Sequence, residues 1–130
     1  MSYAAVPQEA EEVARVVVDA AYKVHKALGP GLLESVYDAC LAHELRQRGV
    51  KVATQVTVPL EYEGLGLETG LRLDMVVGDQ VVVEVKAVDA LNDLFMAQVL
   101  TYLRLTDLRL GLLINFDMCK TKDGIKRIVR

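Results

Sequence analysis

Three residues carry the sharpest chemical possibility in this chain: Asp74, Glu84 and Lys86. In segment 81–87, Val81, Val83, Val85 and Ala87 alternate with Val82, Glu84 and Lys86. Successive strand residues point to opposite faces, so Glu84 and Lys86 share one. In segment 71–77, Leu71, Leu73, Met75 and Val77 form an apolar set, with Arg72, Asp74 and Val76 opposite. Two carboxylates and a lysine on one sheet face are the minimum set for metal-assisted phosphodiester hydrolysis. The carboxylates hold a hard cation such as Mg²⁺, which keeps several waters. The cation polarises a phosphoryl oxygen and acidifies a bound water. A lysine two residues from a ligand projects beside it, where it orients that water or neutralises developing charge.

Strand register tests the grouping. A two-residue turn at Gly78-Asp79 sets Val77 against Gln80 and Asp74 against Val83, which mixes apolar and charged faces. A three-residue turn, Gly78 to Gln80, pairs Val77 with Val81 and Asp74 with Glu84. Both faces then agree, so the pattern predicts the longer turn. Taken alone, Glu-x-Lys on an exposed strand is a solvated stripe with a weak ion pair. Val83 and Val85 argue instead for a buried strand, where stray charge is costly. Glu84-Val85-Lys86 is also the only acidic-x-Lys triplet in the chain.

Other candidates sit on helical segments. Gln98 and Tyr102 are four apart and share a face; the plain reading makes Tyr102 core and Gln98 a boundary residue. Glu34 opens a helix, where the dipole favours a carboxylate in any case. His25, near the end of the first helix, is explained by capping or packing as well as by chemistry, and His43 reads as surface. No Ser-His-Asp set, P-loop, dinucleotide fingerprint or zinc spacing is present.

The elements that must position these residues follow from periodicity. Residues 8–28 carry Val13, Val16, Val17, Ala20, Ala21, Val24 and Leu28 at helical spacing, with Pro7 before them and Gly29-Pro30-Gly31 after. A second helix is predicted from Leu33 to Arg48, closed by Gly49. From Val50 the period becomes two, predicting a strand that ends at Pro59. Its partner begins at Leu60 or follows Gly64 and Gly66. Segments 71–77 and 81–87 read as strands and 93–105 as a helix capped by Asn92. The apolar run Leu110 to Ile114 reads as a strand buried on both faces. Residues 125–129 read as a short final strand. The order predicts an α/β fold with a mixed sheet flanked by helices.

At 130 residues and 52% hydrophobic, the chain suits one domain with an ample core. Cys40 and Cys119 lack metal or redox spacing, which suits a reducing cytosol, and Cys40 reads as inert core. No signal peptide is visible, and the apolar runs fall far short of the ~20 residues needed to cross a bilayer. The expected location is the cytoplasm, with no membrane partner. The net charge of −3 argues against an indiscriminate nucleic-acid binder. Within 117–130, however, Lys120, Lys122, Lys126, Arg127 and Arg130 oppose only Asp117 and Asp123. That basic end is either a solvated tail or a phosphate contact.

Together these residues resemble a known pattern. Asp74 followed by Glu84-x-Lys86 resembles the signature of the PD-(D/E)xK nuclease superfamily, and the predicted element order, α-α-β-β-β-α-β, contains its core. Gln98-x-x-x-Tyr102 resembles the motif of its recombination-exonuclease branch. The chain is more closely similar to the bacterial GxxExxY family, through His25 to Gly31, Gly31-x-x-Glu34-x-x-Tyr37, Arg72-Leu73-Asp74, Val83 to Ala87, Gly111 to Phe116 and Asp123 to Ile128. Leu73 stands where the superfamily's name has proline. The resemblance spans nearly the whole chain and implies one nuclease-like domain over 1–130. It implies metal ligation by Asp74, Glu84 and Glu34, with the Val85 carbonyl as a further donor. Lys86 would be the catalytic lysine, and Gln98, Tyr102 and Tyr37 would shape the site or touch substrate. The implied cofactor is Mg²⁺, with Mn²⁺ as the alternative, and the implied partner is nucleic acid, DNA in particular. Two rivals stand beside a nuclease: an inactive nucleic-acid- or protein-binding module that keeps the fold without turnover, and a structural or regulatory partner of another protein, whose first helix could pack across a homodimer.

Overall fold

The computed structural model describes residues 5–118 and 120–130, and Cys119 lies outside the described residues. Helix α1 spans Gln8–Leu28 and α2 spans Glu34–Gln47. Strands β1 (Val52–Tyr62), β2 (Leu65–Val77) and β3 (Val81–Lys86) follow. Helix α3 (Asp93–Thr106), β4 (Leu110–Asn115), a short 3-10 turn (Thr121–Gly124) and β5 (Ile125–Val129) complete the order. The five strands lie side by side in chain order. β3 and β4 run parallel and every other neighbour pair is antiparallel. The expected mixed α/β sheet is therefore observed, with α3 as the crossover that parallel pairing requires.

The helices begin and end where their flanking residues dictate. Glu9 and Glu11 occupy the first turn of α1, and Gly29, at φ 69°, donates to His25 O as the helix stops. Gly49, at φ 78°, follows α2 and donates to Arg46 O. Asn92 Oδ1 accepts from Phe95 N–H at 3.0 Å and caps α3.

Two clusters of apolar side chains cover the two faces of the sheet. On one, Ala14, Val17, Ala21, Tyr37, Leu41 and Leu45 of α1 and α2 meet Val81, Val83 and Val85. On the other, Val99, Tyr102 and Leu103 of α3 meet Val82, Leu113 and Ile128. β4 is buried along its whole length. The apolar face of α1 is thus used on its own sheet. A Cβ on Gly111 would lie 2.6 Å from Val99 Cγ1, so glycine there lets α3 lie close on β4.

The structure corrects three expectations. β1 does not end at Pro59; it runs on to Tyr62. Proline lacks an N–H for the ladder, but β1 is an edge strand and its register shifts between Val58 and Leu60, where proline is tolerated. β2 starts at Leu65, not at residue 71, after a turn in which Glu63 and Gly64 both have positive φ. The apolar set of β2 does not hold to one face. Met75 and Val77 pack with α1 and α2, whereas Leu71 and Leu73 pack with the α3 cluster. The change of face brackets Asp74, opposite which the register places Gln55 of β1 with φ 50°. That left-handed residue breaks the regular pleat of the strand pair.

The predicted three-residue turn is observed. Val77 pairs with Val81, and Gln80 N–H donates to Val77 O at 3.0 Å across Gly78 and Asp79. Both of those residues have positive φ.

Candidate active site

The register of β2 on β3 carries two carboxylates into contact. Met75 pairs with Val83, so the next step along the ladder sets Asp74 against Glu84. There side chains replace the backbone ladder. Asp74 N–H donates to Glu84 Oε1 at 2.9 Å, and Val85 N–H donates to Asp74 Oδ2 at 2.7 Å. Each carboxylate is fixed by one oxygen to the opposite strand, and its second oxygen takes no part in that exchange.

Glu84 is 4% exposed. Burial, followed by the charge of Asp74, pushes its carboxyl up to about 8, against a hydrogen bond from Asp74 N–H that pulls it down. Asp74 lies where β2 changes face, and its charge reaches both helical layers. It raises Glu34 and Asp38 of α2 and also Tyr102 of α3, in each case after burial as the larger cause. The Tyr102 hydroxyl, at about 12, stays protonated and can donate.

Lys86 is half-buried at the end of β3, with Nζ 4.8 Å from the centroid of the Phe95 ring. It takes part in none of the ion pairs among the described residues. Gln98 is exposed on α3 and lines a cavity of about 460 Å³ together with Lys86 and Tyr102. Glu34 is exposed on the first turn of α2, and Lys86 opposes the upward push on its carboxyl.

Tyr37 has a different place from the others. Its side chain is fully buried and stacks on Phe116, with ring centroids 4.8 Å apart. Its hydroxyl donates to Gly29 O at 2.6 Å and accepts from Leu32 N–H at 3.0 Å. Gly31 N–H donates to Asp117 Oδ1 at 2.9 Å. These bonds hold the α1–α2 turn, and through it the residue that starts α2, Glu34. His25 proves structural as well, with Nε2 2.6 Å from Met118 O, and His43 is exposed.

Sequence reasoning passed over Asp38 and Asn115. Asp38 stands one turn beyond Glu34 on the same face of α2, a spacing readable in advance. Its Oδ1 is buried without a hydrogen-bond partner, while Oδ2 accepts from Gln55 Nε2 at 3.4 Å. Burial and the charge of Asp74 raise its carboxyl to about 6. Asn115, 1% exposed, is the β4 neighbour of Lys86. Its Oδ1 accepts from Val88 N–H and its Nδ2 donates to Val88 O, at 3.1 and 2.8 Å. It clips down the chain that leaves Lys86.

The basic end is partly committed elsewhere. Arg127 pairs with Glu11 and Arg130 with Asp107, while Lys120, Lys122 and Lys126 are exposed.

Among the described residues no three His, Cys, Asp or Glu side chains form a ready metal-binding set. The donor chemistry nevertheless fits a hard cation. Mg²⁺ is typically held by one or two carboxylates plus water and phosphate rather than by an all-protein cage. Asp74 and Glu84 would supply that pair, and Asp38, whose carboxyl feels the charge of Asp74, has a buried oxygen without a hydrogen-bond partner.

Residues 11–128 match the model of the PD-(D/E)XK nuclease superfamily. The chain belongs to that superfamily. Its members generally use divalent metals on nucleic acid. Neither curated proteins nor solved structures gave a match. No helix among the described residues is long and apolar enough to cross a membrane. The matched range includes Asp74, Glu84, Val85 and Lys86, the stretch where the two carboxylates accept backbone hydrogen bonds.

Proposed function

We propose that this protein is a Mg²⁺-dependent nuclease that hydrolyses phosphodiester bonds in DNA, of the GxxExxY type within its superfamily. One observation carries the reading: Asp74 and Glu84 are locked face to face across a hairpin, with Lys86 following on the same strand. Buried like charges at contact distance are costly unless a cation or proton joins them. Asp74 and Glu84 would hold the cation, with Glu34 reaching it directly or through water. When bound, the cation supplies Lewis acidity to the phosphoryl oxygen and a more acidic water.

The chain's own groups do the rest. The Val85 N–H and Asp74 N–H bonds fix the carboxylates before substrate arrives, so little reorganisation is needed. The Lys86 ammonium, steadied over the Phe95 ring, orients the attacking water and offsets charge on the phosphoryl oxygens. The protonated Tyr102 hydroxyl offers a donor from the α3 side.

The test is a metal titration followed by cleavage assays on single-stranded, duplex, nicked and branched DNA. Cleavage should need Mg²⁺ or Mn²⁺ and should be lost in Glu84→Ala and Lys86→Ala. Cleavage that survives both substitutions rules the mechanism out. A second reading, a binding module without turnover, is favoured by the pairing of Arg127 and Arg130 within the chain, which leaves fewer cations to clamp a substrate. Salt-sensitive DNA binding without cleavage across metals and substrates would favour it.

A further inference from the structure

We infer that the cavity beside Lys86 is a pocket for an unpaired nucleobase, so that the substrate presents a single-stranded nucleotide next to the bond that is cut. This rests on the nuclease reading and names its substrate class. The cavity has a volume of about 460 Å³ and is walled by Leu71 of β2 and by Leu94, Phe95, Gln98 and Thr101 along α3. Lys86 lines it as well. Lys86 thus lines this cavity and stands two residues from Glu84 on the same strand. A nucleotide whose phosphate lies against Lys86 has its base one sugar away, within the cavity.

The lining matches a base in chemistry. Leu71 and Leu94 give apolar walls, and Phe95 gives an aromatic surface on which a base can stack. Gln98 sets an exposed amide, both donor and acceptor, at the margin, where it can meet the polar edge of a base. Thr101 is turned away from such a role, since its hydroxyl donates to Ala97 O at 3.1 Å. Leu94 is 74% exposed at the first turn of α3. Covering it is a gain that a stacked base supplies. A base inside an intact duplex is paired and stacked on both sides and cannot enter without being drawn out. A chain of net charge −3 also has little long-range pull on duplex phosphates, so contacts to a base must contribute much of the hold.

The experiment measures binding of three end-labelled probes to the full chain in EDTA, where nothing turns over. The probes are a single-stranded oligonucleotide, a blunt duplex with the same number of phosphates, and a single strand of abasic residues. The single strand should bind about 10-fold tighter than either of the others. Leu94→Gln, at an exposed position that does not endanger folding, should remove most of that preference and leave abasic binding unchanged. Phe95→Ala should remove the preference more fully and weaken abasic binding as well, since Lys86 loses the ring it lies over. Equal affinity for the three probes, including none for any, overturns the pocket, as does an unaltered preference in Leu94→Gln. The nuclease reading fails separately. Base-dependent binding with no cleavage under any metal would sink turnover and keep the pocket. Equal cleavage of duplex and abasic strand would keep turnover and sink the pocket.

Discussion

Asp74 and Glu84 each use a carboxylate oxygen to hold a backbone N–H of the opposite strand, at 2.7 and 2.9 Å. Two acids are thereby fixed together, Glu84 buried and Asp74 half-buried.

This arrangement predicts how the metal-free protein responds to pH. The Glu84 carboxyl sits at about 8 in the fold, against 4.5 as its ordinary value. Between those limits the unfolded chain has released its proton while the folded chain retains it. Stability therefore falls as pH rises from about 4.5 to about 8, by at most ~1.4 kcal/mol per pH unit from this group. Glu84→Gln keeps an acceptor for Asp74 N–H and removes the titration. In EDTA at pH 8 it should melt roughly 5 °C above the parent chain, with the gap closing by pH 5. A variant that melts no higher than the parent at pH 8 contradicts this account.

Cation binding should expel the same proton. Mg²⁺ added at pH 7 is expected to release close to one proton per site, read by calorimetry in buffers of different ionisation enthalpy. Apparent affinity should improve about tenfold from pH 6 to pH 7. Both effects should vanish in Glu84→Gln; a proton yield that persists there assigns the release to another group.

Lys86 should matter to turnover and little to folding. Its Nζ lies over Phe95 and forms none of the ion pairs among the described residues, so Lys86→Met forfeits only about 0.5–1 kcal/mol of cation–π attraction. Cleavage should drop by about two to three orders of magnitude, with Mg²⁺ affinity unchanged or slightly improved. Loss of the metal along with activity would show that Lys86 holds the site together rather than assisting the reaction.

Tyr37→Phe separates support from chemistry. It keeps the stack on Phe116 but removes the bonds to Gly29 O and from Leu32 N–H. The expected cost is about 1–2 kcal/mol in chemical denaturation. Cleavage should decline in step with Glu34→Gln rather than with Lys86→Ala, because the turn that Tyr37 braces leads directly into Glu34. An effect as large as that of Lys86→Ala would place the hydroxyl in direct contact with substrate.

Much of this architecture was legible because burial leaves a periodic trace. The helix spans, the buried β4 and the pairing of Val77 with Val81 all followed from which residues need an apolar neighbour. Asp74 facing Glu84 followed from register alone, since a slip of one residue would have buried Arg72 and exposed Met75. What escaped was local and non-periodic. Pro59 reads as a strand end unless the strand is known to lie at an edge. The change of face around Asp74 turns on the left-handed backbone of Gln55, and nothing in a glutamine announces that. Tyr37 looks like a site residue by its spacing from Glu34, yet its hydroxyl is spent on the turn. Asp38 carried a readable signal, its place one turn after Glu34, but a lone acid on a helix is ordinary until an unpartnered oxygen is seen.

The short turn between β2 and β3 also orders events in time. Asp74 and Glu84 are ten residues apart, and a hairpin of that length closes within microseconds. The β3–β4 pairing must wait for α3 to form and cross over, a slower, non-local step. The acids therefore meet while still wet and are walled in afterwards, when α3 and β4 dock. The desolvation of Glu84, with the charge of Asp74 beside it, burdens this last docking step and leaves the first nearly untouched. A chain closing around a cation is spared the proton that Glu84 must otherwise take up as it is walled in.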